Sequence, residues 1–197
     1  MAVIYLTGPP ASGKSTLSRN LRSAYPQLVV FAYSEELRDH IASKGSGPSV
    51  DEEDIRRLSS RLVTPQDIEE LDRKLIDLVR SKRSVQSILI DSHPVTKESY
   101  GFRVTGFTLE NLRALDPDVI VCLYTSSDVT AARITTSPMG RPAVSRFEAD
   151  IHTHLQTAVA VQYGILLGKP VYLVDSSVDE QELVEIVAAK SKLSGAC

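Results

Sequence analysis

The first sixteen residues restrict the fold more than any other stretch, because an apolar run leads directly into a glycine-rich turn. Residues 3–6 are Val-Ile-Tyr-Leu, and residues 8–15 are Gly-Pro-Pro-Ala-Ser-Gly-Lys-Ser. The spacing G-x-x-x-x-G-K-S between a strand and a helix is typical of a phosphate-binding loop, whose backbone N–H groups surround phosphate oxygens. Glycine at both ends of the motif permits backbone angles that a Cβ atom would penalise. An ordinary glycine-rich turn is the alternative interpretation.

The residue types of this loop point to a nucleoside triphosphate and its metal ion. Lys14 is expected to reach the β and γ phosphates of ATP, and the Ser15 hydroxyl is expected to ligate Mg²⁺. The full set of residues expected to bind the nucleotide within the loop is Gly8, Ala11, Ser12, Gly13, Lys14, Ser15 and Thr16.

The composition favours one domain that acts on small molecules. The chain has 197 residues, of which 42% are apolar and 24% charged, and this length suits a single α/β domain over 1–197. A net charge of −3 with interspersed signs disfavours a nucleic-acid partner. Because no basic leader and no apolar run of about 20 residues is present, we expect a cytoplasmic protein without membrane contact.

Apolar runs alternate with helical patterns along the chain, which predicts a parallel sheet with right-handed crossovers and both faces covered. The predicted strands are 2–7, 28–32, 87–91, 118–124 and 170–174. The predicted helices are 14–24, 34–43, 51–62, 66–82, 107–115, 128–134, 145–167 and 178–191.

The crossover at 33–86 is long enough to form a helical subdomain beside the sheet. It starts at the carboxyl end of a strand, where ligands bind in open α/β sheets, and Ser34 and Arg38 are its candidate acceptor contacts. Arg38 is either an anion clamp or a solvated helix arginine that pairs with Glu35 or Glu36.

Asp91 ends the third apolar run, where its carboxylate is expected to hold Mg²⁺ or a water bound to it. A capping aspartate is the alternative. Ser92 follows, rather than a glutamate that activates water, which disfavours a plain ATPase, and the lack of an Asn-Lys-x-Asp motif disfavours a GTPase. His93 is either a substrate contact or base, or a histidine bonded to backbone.

Residues 133–146 form an arginine-bearing segment broken by proline and glycine, which predicts a small lid. Phosphoryl transfer depends mostly on positive charge near the γ phosphate and on exclusion of water. Arg133 and Arg141 are therefore candidate catalytic residues, Arg133 also contacting the nucleotide, and Arg141 and Arg146 are candidate acceptor contacts. For each arginine, an ordinary surface position is the alternative.

These motifs resemble those of the archaeal-type adenylate kinases, which are P-loop nucleoside-monophosphate kinases. Gly8–Ser15 resembles their phosphate loop, and the stretch 88–93, Ile-Leu-Ile-Asp-Ser-His, is similar to their strand ending in Asp-Thr-His. Lys97, Gly101 and Phe102 fall where the family has lysine, glycine and an aromatic residue. The blocks 111–128 and 160–168 are also similar to family blocks.

The resemblance implies a three-layer α/β/α fold with a five-stranded sheet of order 2-3-1-4-5, a nucleotide-monophosphate subdomain at 33–75 and a short lid at 134–146. It also implies transfer from ATP to AMP with Mg²⁺, and a homo-oligomer. Lys97 and Arg103 are expected to add positive charge for the acceptor. The lid departs from the family, since Met-Gly-Arg-Pro at 139–142 stands where two closely spaced arginines are usual, and 33–86 matches poorly.

Two other functions stay open on the sequence. A kinase for a small hydroxyl-bearing molecule needs a carboxylate near the acceptor hydroxyl, and the candidates are Asp91, Glu35, Glu36 and Asp39. The second alternative function is that of a nucleotide-binding regulatory module with slow ATPase activity.

Overall fold

Five parallel strands form the centre of the protein in a computed structural model that describes residues 1–44, 63–136 and 144–193. The strands of this sheet are β1 Val3–Thr7, β2 Val29–Ala32, β3 Ile88–Asp91, β6 Val119–Tyr124 and β7 Val171–Asp175. Their order is β2-β3-β1-β6-β7, and every neighbouring pair is parallel. Counted without β4 Val95–Glu98 and β5 Gly101–Val104, which form a separate hairpin, this is the predicted order 2-3-1-4-5, so the predicted α/β fold is confirmed.

Helices connect the strands and cover both faces of the sheet. They are α1 Lys14–Ala24, α2 Tyr33–Ser43, α3 Pro65–Lys82, α4 Leu109–Leu115, α5 Ser127–Thr136, α6 Arg146–Leu167 and α7 Glu180–Lys190. These correspond to the predicted helices with shifts of at most two residues at their ends. The predicted helix 51–62 lies outside the described residues, as does most of the predicted lid. In the described part of the chain, no helix is long and apolar enough to cross a membrane.

The two faces of the sheet build separate apolar layers, because successive strand residues point to opposite sides. Tyr5 and Ile90 face a layer that contains side chains of α3, α4 and α6, among them Leu75, Leu112 and Ala160. Ile4 and Leu6 face the layer of α1 and α7, which includes Leu17, Leu21, Leu183 and Val187. Burial on both faces explains why the strands read as nearly continuous apolar runs.

A short antiparallel hairpin, β4 Val95–Glu98 and β5 Gly101–Val104, follows the sheet strand β3. No element is predicted there from the sequence, because the two four-residue strands of the hairpin are short and mostly polar. The hairpin packs on α6, where His152 Nε2 donates to the Val95 carbonyl oxygen at 3.0 Å and the ring centroids of His152 and Phe102 lie 5.2 Å apart. It projects from the carboxyl end of the sheet.

A capping box fixes the start of α3. The Thr64 N–H and hydroxyl both donate to Asp67 Oδ2, at 2.8 and 2.6 Å, and the Asp67 N–H donates back to Thr64 Oγ1 at 3.2 Å. The other Asp67 oxygen accepts from Lys44 Nζ at 2.6 Å and His40 Nε2 at 3.1 Å, which ties α3 to α2. The hydrogen bonds from Lys44 and Thr64 hold the pKa of the buried Asp67 well below its usual range.

We expect Asp67→Asn to lower the free energy of unfolding at neutral pH by about 1–3 kcal/mol, since the cap and the link to α2 both depend on this carboxylate. Because the pKa of Asp67 is lowered in the folded state, its carboxylate stabilises the fold at pH values above the ordinary aspartate pKa of about 4. This stabilisation is lost as the pH falls. The difference in free energy of unfolding between the wild type and Asp67→Asn, measured by denaturant unfolding, should therefore become smaller as the pH is lowered. Glu69→Gln, at an exposed position, is the control; an equal loss in both variants would contradict the role.

Candidate functional site

A cavity of about 1140 Å³ opens at the carboxyl ends of the strands and extends from the phosphate loop to α3. Such an edge is where ligands bind in open α/β sheets. Strand register brings the site together, since Leu6 of β1 and Ala32 of β2 both pair with Asp91 of β3. The volume lies slightly above the usual range for a small-molecule site, about 300–1,000 Å³.

Backbone geometry shapes the phosphate loop at residues 8–13. Ala11 has φ 60° and Gly13, the N-cap of α1, has φ 89°, both in the left-handed region. A Cβ atom at Gly8 would lie 2.7 Å from the Leu123 carbonyl oxygen and 2.8 Å from Ser12 Oγ. Only glycine fits at position 8, and the turn directs the first N–H groups of α1 into the cavity.

The loop fits the phosphates of a nucleotide. Lys14 Nζ folds over the loop and donates to the carbonyl oxygens of Gly8 at 2.8 Å and Pro9 at 3.3 Å, so the ammonium stands beside the turn. The buried Ser12 hydroxyl has no hydrogen-bond partner among the described residues. A buried hydroxyl in such a loop is satisfied when a phosphate oxygen occupies the turn.

Asp91 lines the cavity beside α1. The Ser18 hydroxyl donates to Asp91 Oδ2 at 3.3 Å. Burial raises the pKa of Asp91, the nearby Lys14 ammonium and Ser18 oppose this, and the Glu35 carboxylate adds to it. The groups that would share a cation here are therefore the half-buried Asp91 carboxylate and the exposed Ser15 side chain of α1.

These two oxygen donors suit Mg²⁺, which binds proteins through one or two carboxylate or hydroxyl groups and takes its other ligands from phosphates and water. The described residues contain no cluster of three or more His, Cys, Asp and Glu side chains that would form an all-protein metal cage. The donor set of Ser15 and Asp91 thus fits an ion held jointly with a bound nucleotide.

Arg133 joins three parts of the site. From α5 its Nη1 donates to the Ala11 carbonyl oxygen at 3.1 Å, and its Nη2 donates to the Ser176 carbonyl oxygen at 2.9 Å. The guanidinium therefore lies between the phosphate loop and the turn after β7, on the cavity wall. Arg146 instead pairs with Asp128 at 2.6 Å, has a side chain 76% exposed, and is not among the cavity-lining residues; Arg141 lies outside the described residues.

The candidate acceptor contacts separate into two groups. Those that line the cavity are Ser34, His93, Lys97 and Arg103. Lys97 Nζ lies 3.0 Å from Glu148 Oε1 of α6, and Arg103 Nε lies 3.0 Å from Glu98 Oε1. Arg38 is not brought to the cavity, because its guanidinium turns to the neighbouring Asp39 at 3.1 Å. The hairpin thus supplies two ion-paired cations, Lys97 and Arg103, to the part of the cavity lined by the candidate acceptor contacts, which we call the acceptor half.

Sequence reasoning missed a buried polar group on the acceptor side. Asp72 of α3 is 7% exposed and accepts hydrogen bonds from the Tyr33 hydroxyl at 2.8 Å and Asn111 Nδ2 at 2.9 Å. Burial raises its pKa, and both hydrogen bonds oppose that shift. The available signal was its place on the apolar face of α3, with Ile68 four residues before it and Ile76 four residues after it.

Aromatic side chains also gather in this half of the cavity. Phe107 makes edge-on contacts with Tyr5 and Tyr33, whose ring centroids each lie 6.1 Å from its own, and it lies 6.4 Å from Tyr163. The four rings all line the cavity. They come from four distant parts of the chain, so no local pattern reveals them. His152 borders the same wall, and burial lowers its pKa to about 4, so it is neutral at physiological pH.

Comparison with known proteins identifies the group to which this architecture belongs. The family model described as an AAA domain matches residues 7–149. A curated adenylate kinase from Methanothermobacter thermautotrophicus is 25% identical over 183 residues, which cover 92% of this chain and 94% of the relative.

Solved structures agree on the fold. The tunicamycin resistance protein of Deinococcus radiodurans superposes with a TM-score of 0.58 at 18% identity, over 100% of this chain and 98% of that one. A sugar kinase from Janibacter superposes with a TM-score of 0.53 at 12% identity, over 98% and 96%. At these identities the likeness concerns the fold.

We expect Lys14→Ala to reduce phosphotransfer from ATP by about two to four orders of magnitude, because it removes the cation of the phosphate loop. A coupled assay of ADP formation measures the loss, and circular dichroism checks that the fold persists. Lys82→Ala, at an exposed position at the end of α3, is the control. Unchanged turnover in folded Lys14→Ala would exclude the loop from the reaction.

Proposed function

Because the chain belongs to the family described as an AAA domain and is a P-loop kinase, we propose that it transfers the γ-phosphoryl group of ATP to a nucleoside monophosphate, with AMP as the acceptor. The observation that carries the proposal is that the phosphate loop and the aromatic-lined acceptor half border the same cavity. The adenylate kinase relative, aligned over nearly the full length of both chains, supports AMP in that half.

Each end of the cavity has chemistry that suits one substrate. On the donor side, the loop and Lys14 bind the triphosphate, Arg133 borders the nucleotide, and Ser15 and Asp91 hold Mg²⁺, which neutralises charge on the phosphates when bound. The protein then contributes position and positive charge rather than covalent chemistry. We also assign Arg141, in the proposed lid at 134–146, to supplying positive charge near the transferred phosphoryl group.

On the acceptor side, we assign the hairpin cations to the AMP phosphate. Lys97 and Arg103 both line the cavity, and each pairs with a carboxylate, Glu148 and Glu98 respectively. A dianionic phosphate competes for these cations better than a single carboxylate does, since it offers more charge and more acceptor oxygens. We assign residues 33–75 to the acceptor subdomain, with the aromatic side chains forming the wall against the base.

A second candidate, a kinase for a small hydroxyl-bearing molecule, is favoured by one observation. Glu35 lines the cavity close enough to Asp91 to raise the pKa of that carboxylate. A hydroxyl acceptor needs a base within hydrogen-bond reach, whereas the phosphate of a nucleotide needs none. Glu35 is the residue that would take the proton in such a reaction.

An assay of ADP formation across nucleoside monophosphates and a panel of sugars and nucleosides separates the two functions. We expect AMP to give the highest kcat/KM, because cations at both ends of the cavity suit two phosphate-bearing substrates. Turnover of a sugar or nucleoside, with AMP at background, would contradict the proposal.

The Glu35→Gln variant is the matched test of the base. Transfer to AMP should change by less than about threefold, whereas a base-dependent hydroxyl kinase loses roughly 10²–10⁴-fold. A large loss of AMP turnover in folded Glu35→Gln would show that the acceptor is activated by this carboxylate.

A further inference from the structure

Three structural elements meet at the buried carboxylate of Asp72, in the acceptor half of the cavity. Asp72 belongs to α3, Tyr33 stands where β2 passes into α2, and Asn111 lies in the first turn of α4. Asp72 and Tyr33 line the cavity directly. A carboxylate that is nearly buried in a ligand cavity is costly unless a ligand or a protein group uses it.

The hydrogen bonds of Asp72 leave it able to accept another donor. A carboxylate has about four lone-pair sites on two oxygens and donates nothing when ionised. The Tyr33 hydroxyl donates to Oδ1 and the Asn111 amide donates to Oδ2. Because both partners give their protons to Asp72, this part of the wall offers a ligand acceptor oxygens rather than donors.

Both of these partners are neutral, so the negative charge of Asp72 is not compensated within the network. The cations of the acceptor half, Lys97 and Arg103, have their own carboxylate partners, Glu148 and Glu98. Hydrogen bonds to an ionised acceptor are about twice as strong as those between neutral groups. An N–H donor on the acceptor molecule would therefore gain a strong interaction here.

The surroundings of Asp72 favour a flat, apolar group that carries this donor. Tyr33 and Phe107 contact each other edge-on, and burial and the nearby Asp72 carboxylate raise the pKa of Tyr163 to about 12, so its ring is neutral. Phe107 lies between these two tyrosines. Aromatic walls of this kind suit the π-face of a heterocycle.

We propose that Asp72 selects the acceptor by accepting a hydrogen bond from the amino group on its base, an inference that rests on the proposed function. An acceptor base without that amino group leaves the buried carboxylate short of a donor on binding, which penalises the wrong substrate. Asp72 is thus a specificity residue at the end of the acceptor away from the phosphoryl group.

The test compares AMP with purine riboside 5′-monophosphate, which lacks only the amino group of the base. We expect the wild-type chain to favour AMP by about tenfold or more in kcat/KM, the effect of one hydrogen bond to a charged group. In Asp72→Ala this preference should fall below about threefold, because the partner of the amino group is gone.

Two variants separate recognition from structure. Asp77→Asn changes an exposed carboxylate of the same helix and should keep the full preference. Asn111→Ala removes a donor to Asp72 from a residue that does not line the cavity and keeps the carboxylate, so it should also keep the preference, whereas a merely structural network would lose it. Thermal melting of each variant identifies those that remain folded.

Two results would overturn the inference while leaving the proposed function intact. One is a wild-type chain that phosphorylates both monophosphates equally well, a measurement that needs no variant. The other is a folded Asp72→Ala that keeps the preference for AMP. Failure of the wild-type chain to phosphorylate either compound would instead contradict the proposed function, and the inference with it.

Discussion

The parallel pairing of β1 with β3 is the constraint on which the site depends. It sets Leu6 opposite Asp91, so the chain enters the phosphate loop one residue beyond β1, beside the carboxylate that ends β3. A slip of one residue would turn Asp91 to the other face of the sheet and remove it from α1. The buried apolar residues on both faces fix this register, and the hydrogen bond from Ser18 to Asp91 then joins α1 to the strand.

Four cations that line the cavity, Lys14, Lys97, Arg103 and Arg133, each contact acceptor groups within the protein. Lys14 donates to backbone carbonyl oxygens, Arg133 donates to Ala11 and Ser176, and the hairpin cations pair with carboxylates. Such pairs keep long side chains in place without the cost of burying unpaired charge. Positive groups ordered in advance around a phosphate are the main resource of enzymes that transfer phosphoryl groups.

The sequence predicted what depends on local patterns. The glycine spacing of the loop, the apolar strands and the strand-terminal Asp91 are local signals, and the sheet order came from resemblance to a family. The hairpin was missed because its strands are short and polar. The Asp72 network was missed because Tyr33, Asp72 and Asn111 are far apart in the chain and meet only through tertiary packing. Arg38 was predicted as an acceptor contact from its position after β2, but its guanidinium forms an ion pair with the neighbouring Asp39.

Simultaneous binding of donor and acceptor in one cavity is tested most directly by a ligand that joins them. Isothermal titration with two adenosines linked by five phosphates, in the presence of Mg²⁺, should give one molecule bound per chain. Because this ligand would fill both halves of the cavity, excess ATP and excess AMP should each weaken its apparent affinity. Competition by ATP alone, with AMP without effect, would contradict a shared cavity for two nucleotides.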